Sequence, residues 1–223
     1  MNTKTKPRIA FDLDGTLYDT LTECLKVDNE IRQGLGYPQI SKEVYVSKFQ
    51  STDWKKFYRD LGIKENDIDI VISQFIKKFG QRNPPLIIPE AKQVIDRVEQ
   101  NLGVENLYIL TNEPFNRVQT RFERDGLVHL LPNVRSPFEG KSKELYDLAT
   151  QKDKPFIYIG DLVSDGESCM EARNKGARNI LFYGIVHPYA MNSPRAIKAF
   201  VSKNSDFAKV LNRLEDIDVI WNQ

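Results

Sequence analysis

An apolar run at Ile9–Leu13 has no successor of the same kind until Leu107–Leu110. After that point such runs recur at short intervals: Asn133–Arg135 more weakly, then Phe156–Ile159 and Asn179–Tyr183. Ile9-Ala10-Phe11 and Phe156-Ile157-Tyr158-Ile159 are continuous rather than alternating, the pattern of parallel strands covered on both faces. Helical spacing fills the intervals. Ala91, Val94, Ile95, Val98 and Leu102 form one stripe, and Pro114 opens a helix through Val118 and Phe122 that Gly126 stops. Ser164–Lys175 reads as a further helix ended by Gly176, and Phe207, Val210, Leu211, Leu214 and Ile217 as a final amphipathic one. This alternation predicts an α/β fold, a doubly wound Rossmann-like parallel sheet.

The gap after the first strand is helical throughout. Ile68, Val71, Ile72, Phe75, Ile76 and Phe79 make one stripe, and Ser51-Thr52-Asp53 supplies an N-cap for a helix through Trp54, Phe57, Tyr58 and Leu61. Asn83-Pro84-Pro85 then imposes an extended return segment. Roughly 65 residues is far too long for a structureless loop. The expected organisation is therefore a core of residues 1–17 and 83–223 with a small helical domain, residues 18–82, inserted after strand one. Hinges are expected near Leu17–Tyr18 and Asn83–Pro85.

Composition narrows the function classes. Hydrophobic residues are 40% and charged residues 28% of the 223, ordinary globular values. Lysine and arginine total 32 against 31 aspartates and glutamates, a balance that argues against a dedicated nucleic-acid binder. Cys24 and Cys169 are too few for a disulfide framework. No apolar run approaches the roughly 18–20 residues of a membrane span. Met1–Arg8 is polar and basic without a secretory h-region, so a soluble, reducing, cytoplasmic setting is expected.

Phe11-Asp12-Leu13-Asp14-Gly15-Thr16 carries the chemistry. Two aspartates two apart at a strand end point the same way, because side chains alternate. They stand at the carboxyl end of a parallel strand, where open α/β sheets bind ligands. An Asp-Gly turn closing a strand is the ordinary structural meaning of part of this motif. Thr111-Asn112, Lys141 within Gly140-Lys141-Ser142-Lys143, and Gly160-Asp161-Leu162-Val163-Ser164-Asp165 each have bland readings too: a turn, a solvated lysine, a helix-capping carboxylate. Their order, and their common placement at strand ends or helix starts, is what those readings leave unexplained.

From Ile9 to about Leu214 the chain resembles the haloacid dehalogenase superfamily, in the phosphatase branch that carries a helical cap after the first strand (phosphoglycolate phosphatase and β-phosphoglucomutase-like proteins). The resemblance implies a Mg²⁺-dependent phosphomonoester hydrolase acting on a small soluble phosphorylated metabolite. Asp12 would attack phosphorus to form an aspartyl-phosphate, and Asp14 would protonate the leaving oxygen and then activate water. Thr111, Asn112 and Lys141 would hold the phosphoryl group, Lys141 also keeping Asp12 ionised. The metal would be held by Asp12, Asp14 through its carbonyl, Asp161 and Asp165. Asp161 is the first choice for direct ligation, with a water-mediated role open to Asp165. The third motif departs from the family: Ser142 follows Lys141 where proline is common, and Lys143 is the alternative lysine. A phosphomutase of the same superfamily and a non-catalytic phosphate-binding relative are the rival readings. His129, His187, Cys24 and Cys169 are expected to be structural. Lys55, Lys56 and Arg59 should form a solvated helix face, and Trp54 and Phe57 the core of the insert.

Overall fold

The computed structural model describes residues 6–49, 53–137 and 140–221. The five apolar runs become parallel strands β1 (Arg8–Phe11), β2 (Leu107–Leu110), β3 (Val134–Arg135), β4 (Phe156–Gly160) and β5 (Ile180–Ile185), and a sixth among the described residues, β6 (Ala208–Leu211), joins them. They form one sheet in the order β3-β2-β1-β4-β5-β6, with Ile9 opposite Leu107 on one side and Ile157 on the other. Alternation along each strand sorts the side chains onto two faces. Ile9, Phe11, Leu107, Ile109, Ile157 and Ile159 enter one apolar cluster, and Ala10, Tyr108, Leu110, Phe156 and Tyr158 the other.

Helices cover both faces. The stripe read from residues 91–102 buries Val94, Ile95 and Val98 against the first cluster as α5 (Ala91–Leu102), beside α6 (Phe115–Asp125), which ends at left-handed Gly126. The second face is covered by α7 (Lys141–Thr150), α8 (Val163–Asn174) and α9 (Pro194–Lys203). Serine at the N-cap and proline at the first position start α9, whose Ser193 side chain accepts from Ala196 N–H.

One expectation is overturned. The stretch Phe207–Ile217 is not an amphipathic helix but strand β6, followed by a 3-10 turn at Leu214–Ile217 and the short α10 (Asp218–Trp221). Phe207 and Ala208 pack on the α7–α9 face and Leu211 on the opposite face, in register with β5 at Phe182–Ala208 and Ile185–Leu211. The helical spacing of its apolar residues coincides with this split between two faces, and pairing to the open edge of β5 outweighs local propensity.

Between β1 and α5 the chain forms α1 (Thr20–Gly34), α2 (Lys42–Lys48), α3 (Trp54–Asp60) and α4 (Glu65–Gln81). They share a cluster of their own that includes Leu21, Val27, Ile31, Phe57, Tyr58, Ile68, Val71 and Phe75. Asp53 caps α3, accepting from Lys56 N–H at 3.0 Å; the Ser51-Thr52 part of the expected cap lies outside the described residues. Ile76, expected in the α4 stripe, is instead 67% exposed. The two crossings to the sheet run side by side: Asp19 N–H donates to Leu86 O and Ile88 N–H to Leu17 O, both at 2.9 Å.

Candidate active site

Reversal of strand order between β1 and β4 leaves a crevice at their carboxyl ends, the position where such sheets bind ligands. Asp12 follows β1 and Asp161 follows β4, while Asp165 lies in the first turn of α8. All three are buried, and one carboxylate oxygen from each lies within 4.8 Å of the others. Lys141, the first residue of α7, donates from Nζ to Asp12 Oδ1 at 2.6 Å and to Asp165 Oδ1 at 2.8 Å. Tyr158 OH donates to Asp165 Oδ1 at 3.0 Å, and Leu162 N–H to Asp165 Oδ2 at 3.1 Å. The Thr16 hydroxyl lies 3.4 Å from both Asp12 Oδ2 and Asp161 Oδ1. Gly15 permits this closeness: its φ is +80°, and a Cβ there would stand 2.4 Å from Asp161 Oδ2.

Three buried carboxylates against one ammonium set the electrostatics. Burial pushes the Asp12 carboxyl up to about 7, although Lys141 opposes it. Asp161 is raised well above the usual range by burial and then by the charges of Asp12 and Asp165. Burial pulls Lys141 down, but Asp12 and Asp165 outweigh that and hold its ammonium above the ordinary value. Asp14 behaves differently. Burial raises it, yet Arg121 and the Thr20 hydroxyl outweigh burial and lower it. Arg121 Nη1 is 2.7 Å and Thr20 Oγ1 2.5 Å from Asp14 Oδ1, and Arg121 is itself fully buried.

Residues 9–178, more than half of the chain, match the haloacid dehalogenase-like hydrolase family. The chain belongs to that family. A phosphoglycolate phosphatase from Aliivibrio fischeri is 24% identical over 83% of this chain and 86% of its own length. One from Pasteurella multocida is 22% identical over 93% and 97%. Among solved structures, a haloacid dehalogenase family hydrolase from Deinococcus radiodurans with bound phosphate and sodium superposes with a TM-score of 0.70 at 16% identity, covering 96% of this chain and 94% of that one.

Within this hydrolase, Asp12, Thr111, Lys141, Asp161 and Asp165 all lie buried at the same sheet edge. Of the two candidate lysines Lys141 enters the cluster, whereas Lys143 is 73% exposed beside Asp147. The Thr111 hydroxyl accepts from Glu113 N–H at 3.0 Å, and Asn112 is exposed. Asp14 directs its carboxylate to Arg121 and Thr20, and its side chain is not one of the clustered three. Arg121, Thr20, Tyr158 and Thr16 were not singled out from sequence; Thr16 belongs to the first motif, but Arg121 lies 107 residues from Asp14 and carries no local signal. His187 Nε2 is 2.8 Å from Gly15 O, and burial lowers its imidazole below the ordinary value. His129 pairs with Glu99 at the surface. Cys24 and Cys169 are buried free thiols. Lys55, Lys56 and Arg59 form exposed ion pairs with Asp69, Asp60 and Glu65, while Phe57 is buried and Trp54 packs on the α1–α4 cluster.

The donor set suits a divalent cation. Every clustered ligand atom is a carboxylate oxygen, the choice of hard ions such as Mg²⁺. With all three ionised the trio would outweigh its one lysine, a buried charge that burial resists by raising Asp12 and Asp161 and that a divalent cation would neutralise.

Proposed function

We propose that the chain is a Mg²⁺-dependent phosphomonoester hydrolase acting on a small soluble phosphorylated metabolite through an aspartyl-phosphate on Asp12. The observation that carries this reading is the buried Asp12–Asp161–Asp165 trio with Lys141 bridging two of its members. A dianionic ester and a carboxylate nucleophile repel one another. Bound by Asp12, Asp161, Asp165 and the Asp14 carbonyl, Mg²⁺ would lower that repulsion and polarise the phosphoryl oxygens.

The remaining steps belong to side chains. Asp12 attacks phosphorus and the ester P–O bond breaks, its oxygen taking a proton from Asp14. Asp14 then removes a proton from water, which attacks phosphorus and frees Asp12. The acid step requires the Asp14 carboxyl to part from Arg121 and Thr20 as substrate enters. Lys141 and the Thr111 hydroxyl stabilise charge on the transferring group, with Asn112 beside them at the exposed rim. Residues 18–82 act as a cap that covers the crevice and contacts the leaving group.

The named relatives make phosphoglycolate the first natural ester to test. A charge-balanced chain and a covered site favour a small cytoplasmic metabolite over nucleic acid or membrane. Release of inorganic phosphate from p-nitrophenyl phosphate should require Mg²⁺ and stop with excess chelator. Full activity in chelator would refute the metal role, and isomerised sugar phosphate without free phosphate would indicate a mutase.

A further inference from the structure

The loop between β5 and α9 touches the acid cluster and the helical segment α1–α4 at the same time. Two consecutive residues make both contacts. Met191 donates its backbone N–H to Asp161 Oδ2 at 2.5 Å, while its side chain is buried in the apolar cluster of α1–α4. Asn192, 3% exposed, uses both ends of its amide. Its Oδ1 accepts from Val163 N–H at 2.8 Å, and its Nδ2 donates to Phe49 O at 2.5 Å. Val163 is the first residue of α8, the helix that carries Asp165, and Phe49 is the C-cap of α2. Both partners are helix-end groups with no intrahelical mate. Leu162, next to Asp161, packs on the same α1–α4 cluster.

A cavity of about 400 Å³ opens between Lys42, Glu43 and Val46 of α2 and His187, Pro188 and Ala190 of the loop, with Asn192 on its wall. The Lys42 ammonium of α2 lies 5.9 Å from the centre of the Tyr189 ring of the loop, and the Asn192 amide adds a direct hydrogen bond from the loop to the end of α2. We propose that Met191 and Asn192 are positioning residues that couple the seating of α1–α4 to the placement of Asp161 and Asp165, and so to divalent-cation affinity. This rests on the reading of the acid trio as a Mg²⁺ site. The mechanical reason is close packing: the Met191 backbone cannot shift without either losing Asp161 or moving a side chain embedded in the other cluster. Coupling of this kind is reciprocal, so Mg²⁺ must tighten the seating by the factor by which seating tightens Mg²⁺.

The test uses the full chain as wild type, Asn192→Ala and Met191→Ala. Mg²⁺ affinity is measured by calorimetry, and amide hydrogen exchange over residues 42–49 with and without Mg²⁺. Wild type should bind Mg²⁺ and exchange more slowly there when it is bound. Both variants should bind Mg²⁺ on the order of tenfold more weakly and lose the Mg²⁺-dependent slowing. A residue that merely caps helices would lower the melting temperature and leave affinity and slowing at wild-type values; that result would overturn the coupling. Wild type that binds no Mg²⁺ would overturn the metal reading and the coupling with it. Met191→Ala keeps every hydrogen bond described above and decides the matter by the same criteria if Asn192→Ala does not fold.

Discussion

Lys141 balances Asp12 and Asp165 from a buried position, whereas Lys143, two residues on, lies in solvent. Breaking a buried pair by removing one partner costs about 3–5 kcal/mol, while surface changes stay within about 0.5 kcal/mol. Lys141→Met should therefore lower the melting temperature sharply and reduce phosphate release by roughly 10²–10³-fold, the scale of a lost charge stabiliser. Lys143→Met should change neither beyond about twofold in rate, and equal effects of the two would contradict the assignment. The same cluster sets a pH dependence. Asp12 is raised by burial from 3.8 to about 7 and Asp161 is raised too, so without metal their stabilising contribution is present in acid and lost as pH rises through about 7. Metal must displace those protons, so the Mg²⁺-induced rise in melting temperature should be small at pH 5.5 and larger at pH 8. A rise of the same size at both would contradict the raised carboxyls. Asp12, Asp14 and Asp161 were legible because each closes an apolar strand within one short motif. Arg121 and Asn192 were not, because their partners at Asp14, Val163 and Phe49 are brought near only by the folded chain, and Thr20, six residues past Asp14, lies outside the motif and has no pattern of its own.

At the scale of elements, strands with continuous apolar runs were readable, and their alternation with helices pointed to a parallel, doubly wound sheet, whereas the strand order came only with the structure. β6 was not readable: Lys209 is exposed at the sheet edge, and only the register with β5 distinguishes it from a helix of the same spacing. Short edge strands carry too little burial of their own to announce themselves. The turn after β1 offers a sharper test. Gly15 and Gly36 both have positive φ, +80° and +77°, so alanine at either carries a left-handed penalty of about 1–2 kcal/mol. A Cβ at Gly36 meets open space, whereas one at Gly15 collides with the Asp161 carboxylate. Both Gly15→Ala and Gly36→Ala should lower the melting temperature, but only Gly15→Ala should weaken Mg²⁺ binding measured by calorimetry. Matching Mg²⁺ affinities would show that the turn does not govern Asp161.

For the whole molecule, the helices α1–α4 have a separate apolar cluster and two adjacent crossings to the sheet, at Asp19–Leu86 and Leu17–Ile88. Replacing Thr20–Gln81 by a short linker should abolish discrimination among natural phosphate esters more than it slows p-nitrophenyl phosphate. Its aryl leaving group departs with little protonation and makes few demands on a cover. A folded truncated protein that keeps the full-length substrate ranking would show that these helices do not select substrate. The helical gap was visible from sequence as a missing strand, but its seating on Met191 and Leu162 was not, because both lie in the later α/β half. The central claim concerns a single bond, that between phosphorus and Asp12. Wild-type protein should be mixed with ³²P-labelled p-nitrophenyl phosphate and Mg²⁺, quenched in acid within one turnover, and the labelled peptide sequenced. Label on Asp12, absent from Asp12→Asn, is the expected result; label on another residue, or phosphate release through a full turnover with no labelled protein at any quench time, would contradict it.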